Sequence, residues 1–167
     1  MFFAIVVVAL SSKDFWRLFY PFPYRQTVEI QAKKNGLDPL LVAAVIRVES
    51  KFQAGAISNK GAIGLMQVMP QTGYWAAGEM GLPGFSVRQL ANPSINLAIG
   101  TWYLARLHRE FGGNLVQVLA AYNGGDHNVK KWLRTGRLDK ISDIPFPETR
   151  NFVTKVLAGY VIYRRLY

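Results

Sequence analysis

The 167-residue chain contains no cysteine and only half as many acidic residues as basic ones. The absence of cysteine excludes disulfides, thiolate catalysis and cysteine-ligated zinc. The 20 Lys and Arg residues against 10 Asp and Glu residues give a formal net charge of +10. This excess favours an anionic partner, such as a nucleic acid, an anionic membrane surface or a carboxylate-rich polymer. Charge dispersed for solubility explains the composition equally well.

The chain also lacks an apolar run long enough to span a membrane. Its opening, MFFAIVVVAL, has 10 apolar residues, whereas a spanning helix needs roughly 20. No basic residues precede the run as they do in a secretory signal, and a buried strand fits its β-branched residues equally well. The next segment, FWRLFYPFPY, is aromatic and basic like a membrane-interface belt. We therefore expect residues 1–23 to be an export signal or membrane anchor whose first residues are missing from this chain, with a separate domain over residues 24–167.

A period-two strand pattern is absent as well, and from Tyr24 onward the sequence indicates helices. Asp38-Pro39 and Asn92-Pro93 each supply an N-cap followed by proline at the first helical position, and Gly, Asn and Pro interrupt the pattern elsewhere. The length is sufficient for one globular core. We predict a mainly α fold with helices over 26–34, 39–51, 70–81, 93–111, 115–123 (with Asn114 as N-cap), 127–132 (with Asp126 as N-cap) and 148–167.

Glu49 places a carboxylate at the end of the apolar stretch LLVAAVIRVES. It lies one helical turn beyond Val45 and Ile46 and so shares their apolar face. It also lies in the last turn, where the helix dipole disfavours an additional anion. Burial and the dipole both raise a carboxyl pKa, as a general acid working near neutral pH requires. A buried ion pair with Arg47 or Arg150 is the alternative.

Two later segments carry groups suited to a ligand. The glycine-interrupted ISNKGAIGLMQVMP contains Gln67, whose amide can both donate to and accept from a hydroxylated molecule. Its Met66 and Met69 are adaptable apolar walls or ordinary core filler. AAYNGG places Tyr122 and Asn123 at a helix end, where they are ligand contacts or a core aromatic and a cap.

Four motifs in order resemble the soluble lytic transglycosylase family, the catalytic domain that cleaves bacterial peptidoglycan and is related to goose-type lysozymes. They are ES at 49–50, GLMQVMP at 64–70, AYN at 121–123 and PETRNFVTKV at 147–156. The resemblance covers the chain from about Tyr24 to its end. It implies a lysozyme-like helical domain with a sugar-binding groove over residues 24–167. From the apolar opening and the aromatic, basic segment after it, we expect the protein to lie on the cell-wall side of the cytoplasmic membrane, held there by its N-terminus.

The resemblance also implies roles for individual residues. Glu49 would be the sole catalytic acid and base. Ser58 would contact the muramyl group, and Glu148 would support the site without acting as a nucleophile. The residues expected to contact the glycan or to stand beside the glutamate are Ser58, Gln67, Met69, Tyr122, Asn123 and Glu148.

The reaction implied is cleavage of the bond between N-acetylmuramic acid and N-acetylglucosamine without water, which leaves a 1,6-anhydro-muramyl end. A lysozyme-type hydrolase, in which Glu148 or another remote acid activates water, is one alternative. A basic binding module without catalysis is another. Nucleic-acid binding is disfavoured because the basic residues are spread along the chain. We expect no cofactor and no metal, since His108 and His127 lack metal-ligand spacing.

Overall fold

The computed structural model describes residues 12–167, and within this range the chain is helical, with two isolated β-bridges in place of a sheet. The predicted mainly α fold is confirmed. Short 3₁₀ turns cover Val87–Ala91 and Ile141–Asp143. The α-helices are α1 Lys13–Phe19, α2 Arg25–Lys34, α3 Pro39–Ser50, α4 Pro70–Glu79, α5 Pro93–Glu110, α6 Leu115–Gly124, α7 Asp126–Thr135 and α8 Pro147–Leu166.

The capping residues read from the sequence begin three of these helices. The side chains of Asp38, Asn92 and Asn114 accept hydrogen bonds from backbone N–H groups in the first turns of α3, α5 and α6. The prediction for Asp126 is wrong, because Gly125 at φ 89° turns the chain one residue earlier and is itself the N-cap. Asp126 is therefore the first residue of α7 and forms an ion pair with Lys130 at 3.0 Å, one turn later.

Helix α3 lies at the centre of the domain. Its residues from Val42 to Ile46 are fully buried, and it packs most extensively against α8. A helix that is apolar on every side is stable only when it is enclosed by other elements. Because the carboxyl-terminal end of α3 reaches the surface, the residues of its last turn pass from the core to the wall of a cleft.

The segment before residue 24 lies against the end of α8. The Arg17 guanidinium donates to the Leu166 carbonyl at 3.0 and 2.6 Å, and the Tyr163 hydroxyl donates to the Pro21 carbonyl at 2.8 Å. Phe22 is buried. Contacts thus cross the boundary expected near residue 23, and the role of residues 1–23 stays a prediction.

The opening run MFFAIVVVAL lies outside the described residues. From residue 12 onward, none of the helices has both the length and the apolarity needed to cross a bilayer.

Candidate active site

A surface cavity of about 400 Å³ lies where the end of α3 meets α4, α6 and the start of α8. All seven residues that the sequence singled out line this cavity: Glu49, Ser58, Gln67, Met69, Tyr122, Asn123 and Glu148. Lys60, Thr72 and Tyr103 also line it and were not predicted. The fold therefore brings together residues that are up to 99 positions apart, while their individual roles stay predictions.

Glu49 is held in position by its neighbour Ser50. The buried Ser50 hydroxyl is within hydrogen-bond distance of two carbonyl oxygens, Ile46 at 3.2 Å and Leu65 at 2.8 Å. The first lies in α3 and the second lies in the loop that follows it. Because one side chain joins helix and loop, the last turn of α3 has a fixed position relative to the cavity wall.

The protonation of Glu49 is strongly perturbed. Desolvation by burial, followed by the negative charge of Glu148, raises its pKa from 4.5 to about 8. The ion-pair alternative is not found: within residues 12–167 no cation lies within ion-pair distance of Glu49. The Arg47 guanidinium stacks 4.1 Å from the ring centre of Tyr20, and Arg150 donates to a backbone carbonyl. Glu49 is thus a carboxylic acid at neutral pH.

The loop over residues 51–69 forms one wall of the cavity and is anchored by Asn96 on α5. This fully buried side chain accepts from the Met66 N–H at 2.8 Å and donates to the Ile63 and Leu90 carbonyls at 2.8 and 2.9 Å. Gly64 lies beside it at φ 80°, and a Cβ there would approach the Leu90 carbonyl oxygen to 2.6 Å. The GLM turn therefore requires glycine for both its backbone conformation and its packing.

Gln67 is used differently from the sequence-based expectation. Its amide nitrogen donates to the Ala56 and Gly64 carbonyls at 3.1 and 2.9 Å, which holds its own loop together. Both N–H donors are thereby occupied, so the carbonyl Oε1 is the part of the amide that can receive a hydrogen bond from a ligand. Ser58 is arranged in the opposite way. Its oxygen accepts from the Ala62 N–H at 2.9 Å, which leaves its own hydroxyl hydrogen for donation.

Tyr122 supports the loop from the other side. Its hydroxyl donates to the Met66 carbonyl at 2.8 Å, so the phenolic proton is already used within the protein. Burial, with a smaller contribution from the charge of Glu49, raises the Tyr122 pKa well above 10.0. The phenol therefore stays protonated and keeps this bond. Asn123 follows in the last turn of α6, where Gly125 rather than Asn123 is the C-cap.

Glu148 is the second residue of α8 and projects into the same cavity. Both of its oxygens accept from the Lys60 ammonium, at 3.1 and 3.0 Å. The two side chains are 71% and 74% exposed, so the pair contributes little to stability. The sequence offers no local signal for Lys60, because its partner lies 88 positions away.

Aromatic rings extend from the cavity towards the surface. Tyr103 is 5.6 Å from Tyr122 and 6.1 Å from Trp75, measured between ring centres. Trp75 is 38% exposed, and Met69, at 42%, lies at the start of the same helix. Tyr103 was missed because its position on α5 follows the spacing of ordinary core residues. Apolar and aromatic walls with a few polar groups are typical of small-molecule and sugar sites.

Comparison with known proteins identifies the family. A family model for the transglycosylase SLT domain matches residues 26–144. The chain belongs to the transglycosylase SLT domain family. The resemblance seen in the four sequence motifs is thereby confirmed.

The relatives of this SLT domain are longer proteins. The soluble lytic murein transglycosylase of Escherichia coli strain K12 is 36% identical over 151 residues, which are 87% of this chain and 23% of that protein. A putative soluble lytic murein transglycosylase of Haemophilus influenzae is 32% identical over 164 residues, 95% of this chain and 28% of its own length. The chain thus spans about a quarter of the length of the relatives it matches.

Solved structures agree with this assignment. An inactive mutant of the lytic transglycosylase Slt from Pseudomonas aeruginosa superposes with a TM-score of 0.83 at 39% identity, covering 89% of this chain and 25% of that one. The 70-kDa soluble lytic transglycosylase in complex with bulgecin A superposes with a TM-score of 0.85 at 34% identity, covering 91% and 26%. The SLT domain described here therefore has the fold of lytic transglycosylases.

Proposed function

We propose that this chain is the catalytic domain of a peptidoglycan lytic transglycosylase and that Glu49 is its only proton-transfer group. One observation carries the proposal: the carboxyl group of Glu49 lines a sugar-sized cavity with a pKa of about 8. A general acid must hold its proton at working pH and still be able to release it, and a pKa near 8 meets both needs. The family and the murein-cleaving relatives support this choice of substrate.

The reaction uses Glu49 twice. The carboxylic acid donates its proton to the glycosidic oxygen while the bond from muramyl C1 to that oxygen breaks, and the N-acetylglucosamine end leaves as an alcohol. The muramyl C6 hydroxyl then bonds to C1, and its proton returns to the Glu49 carboxylate. The products are a 1,6-anhydro end and the original acid. No water is consumed, and the nucleophile is already held within the sugar.

The other predicted residues bind and position the substrate. The Ser58 hydroxyl donates to the muramyl group, and Gln67 Oε1 accepts from a sugar hydroxyl or amide. Met69 and Asn123 form walls of the groove. Tyr122 acts through the loop, since its hydrogen bond holds the Met66 carbonyl and thereby the segment that carries Gln67.

A hydrolase is the second candidate function, because Glu148 places a second carboxylate in the same cavity as Glu49. A water-activating carboxylate has to face the opposite side of the sugar ring from the acid. Glu148 is instead engaged by Lys60 through both of its oxygens. We therefore propose that Glu148 raises the pKa of Glu49 through its negative charge and does not activate water.

Digestion of purified peptidoglycan in heavy-oxygen water separates the two reactions. The transglycosylase yields anhydro-muramyl ends that are one water lighter than hydrolytic ends, resist borohydride and carry no label. Labelled reducing ends as the main product would refute the proposal in favour of the hydrolase. Glu49→Gln should abolish cleavage, whereas Glu79→Gln, which replaces an exposed acid at the end of α4, should leave it unchanged.

We also propose that the protein acts on the outer side of the cytoplasmic membrane and is attached there through residues 1–23. The apolar opening and the aromatic, basic segment after it support attachment, as does the exposure of Leu18 and Phe19, at 76% and 54%, on α1. Cells expressing the full chain and a variant lacking residues 1–20 provide the test. Only the full chain should remain in the membrane fraction after a high-salt wash. Equal release of both proteins would contradict the attachment.

A further inference from the structure

A second recess, of about 410 Å³, lies between the end of α3 and α8. Arg47 and Lys51 line it from α3 and the residue that ends this helix, and Lys155 and Gly159 line it from α8. Tyr20, the residue that ends α1, closes one side. The volume lies within the range of about 300–1,000 Å³ that is typical of ligand sites, and the proposed cleavage reaction uses none of these residues.

The recess carries positive charge without a compensating anion. Arg47, Lys51 and Lys155 line it, no acidic side chain does, and none of the three forms an ion pair within residues 12–167. The negative end of the α3 dipole accounts for part of the attraction of Arg47 and Lys51 to this place. It does not account for Lys155, which belongs to α8. Three cations around one recess repel one another unless an anion enters it.

Arg47 is held in one orientation by aromatic residues. Its guanidinium lies 4.1 Å from the ring centre of Tyr20, and it also interacts with the Tyr163 hydroxyl. The rings of Tyr20 and Tyr163 are in contact, with 5.9 Å between their centres. A guanidinium stacked on a ring keeps its edge N–H groups available, and their planar arrangement matches the oxygens of a phosphate. Ammonium groups bind phosphate as point charges, so Lys51 and Lys155 suit the same anion.

Apolar side chains lie exposed beside the recess. Leu18 and Phe19 directly precede Tyr20, and both are exposed at the end of α1. Helix α1 lies against the last turn of α8, where Arg17 donates to the Leu166 carbonyl. Exposed apolar groups next to cations are typical of a surface that meets an anionic membrane. A soluble phosphate would fill the recess and leave the apolar groups in water, whereas a phospholipid covers both.

We propose that this recess binds the phosphate of an anionic phospholipid headgroup, while Leu18 and Phe19 enter the apolar region of the bilayer beside it. Arg47 supplies the oriented donor, and Lys51 and Lys155 supply charge on either side. The inference rests on the proposed attachment through residues 1–23 and adds to it a lipid contact made by the folded catalytic domain. An apolar anchor alone does not distinguish one headgroup from another, whereas this recess selects anionic lipids.

A lipid in the recess also orients the candidate active site. Val48 and Lys51 line both the recess and the shallow groove that contains Glu49. The recess and the groove therefore share a rim, and a domain held by the recess keeps the groove next to the bilayer surface. The proposed cleavage is thereby directed to glycan strands that lie close to the membrane.

Vesicle binding by the full chain tests the site. The vesicles contain phosphatidylcholine alone or phosphatidylcholine and phosphatidylglycerol in equal parts, and the wild-type protein should bind the mixed vesicles more tightly. Lys51→Gln with Lys155→Gln removes two charges from the recess, and Lys33→Gln with Lys34→Gln removes two exposed charges from the end of α2. At about fivefold per basic residue near an anionic surface, the recess variant should lose about thirtyfold in affinity for the mixed vesicles. Its affinity for phosphatidylcholine, and both affinities of the α2 variant, should stay within about threefold of the wild-type values.

A third variant identifies the source of the phosphate. Leu18→Gln with Phe19→Gln should weaken binding to both kinds of vesicle, because these side chains contact the bilayer and not the phosphate. Unchanged vesicle binding by this variant would contradict the lipid. A soluble glycerol phosphate polymer that binds as tightly as the mixed vesicles, and loses its binding in the recess variant, would assign the recess to a soluble polyanion and overturn the lipid site.

Other outcomes separate the inference from the proposed attachment. Equal affinity of the wild-type protein for the two kinds of vesicle, or equal losses in the recess and α2 variants, would overturn the lipid site and leave the attachment intact. A wild-type protein that binds neither kind of vesicle would overturn both. Because Lys51 and Lys155 are exposed, thermal unfolding of the recess variant should match that of the wild-type protein, which excludes misfolding as the cause of a loss.

Discussion

Replacing Glu49 by Gln should inactivate the protein and at the same time stabilise its fold. Burial raises the Glu49 pKa from 4.5 to about 8, so the folded state binds this proton more tightly than the unfolded state does. A carboxyl group whose pKa is raised by folding adds its full contribution to the free energy of unfolding only below the pKa that it has in the unfolded state. This contribution is lost as the pH rises towards the pKa that the group has in the folded state. Glutamine has the same shape and is neutral at every pH.

The size of the effect follows from the two pKa values. One pKa unit corresponds to about 1.4 kcal/mol, so between pH 4.5 and 8 the wild-type protein should lose stability steadily. Relative to acidic pH, the loss is about 1 kcal/mol at pH 5 and on the order of 3 kcal/mol at pH 7. The free energy of unfolding of the Glu49→Gln variant should exceed that of the wild-type protein by these amounts, because glutamine has no ionisable proton.

Urea unfolding of both proteins at several pH values from 4.5 to 8 measures the difference. Glu79→Gln is the control, because this acid is exposed at the end of α4, and its difference from the wild-type protein should stay within about 0.5 kcal/mol at every pH. A Glu49→Gln stability difference that does not grow with pH would show that the carboxyl group is not desolvated. The general-acid argument would fail with it.

Three further changes should affect the site in separable ways. Glu148→Gln removes the charge that contributes to the raised Glu49 pKa, so the alkaline fall of kcat/KM should move to lower pH; an unmoved profile would contradict the coupling. Gly64→Ala should cost about 1–3 kcal/mol in urea unfolding, because the position needs both φ 80° and an empty Cβ site; wild-type stability would contradict this packing. Tyr122→Phe leaves the Met66 carbonyl without its 2.8 Å donor, so we expect a loss of about 1–3 kcal/mol and a lower kcat; an unchanged kcat would remove Tyr122 from the positioning role.

The helices could be predicted because their ends are encoded locally. Asp38, Asn92 and Asn114 each cap the helix that follows through a side-chain hydrogen bond within three residues. Helix α1 was not predicted, because its sequence KDFWRLF gives a weak helical pattern, and its docking depends on the distant α8. The Arg17 contact with Leu166 spans 149 positions, a separation at which sequence pattern carries no signal.

The members of the site could be predicted from motifs, but their hydrogen bonds could not. Gln67 and Tyr122 were recognised as polar groups near a ligand, yet both donate to backbone carbonyls of the loop over residues 51–69. Carbonyl groups are present at every position, so the sequence cannot indicate which of them a side chain will meet. The contact of Lys60 could not be predicted either, because only the path of α8 brings Glu148 beside it.

The environment of Glu49 explains why the fold places this residue at the end of its most buried helix. The position of Glu49 in α3 buries its carboxyl group and thereby raises its pKa. Within residues 12–167 no cation lies within ion-pair distance of Glu49, so the raised pKa is preserved. An ion pair would have lowered the pKa and removed the proton that the reaction needs. Arg47 lies two positions before Glu49 in the chain and faces the other side of α3, where its guanidinium stacks on Tyr20. The helix therefore separates a neutral acid on one side from a fixed cation on the other. The two groups lie on opposite sides of α3, so the cation does not neutralise the acid.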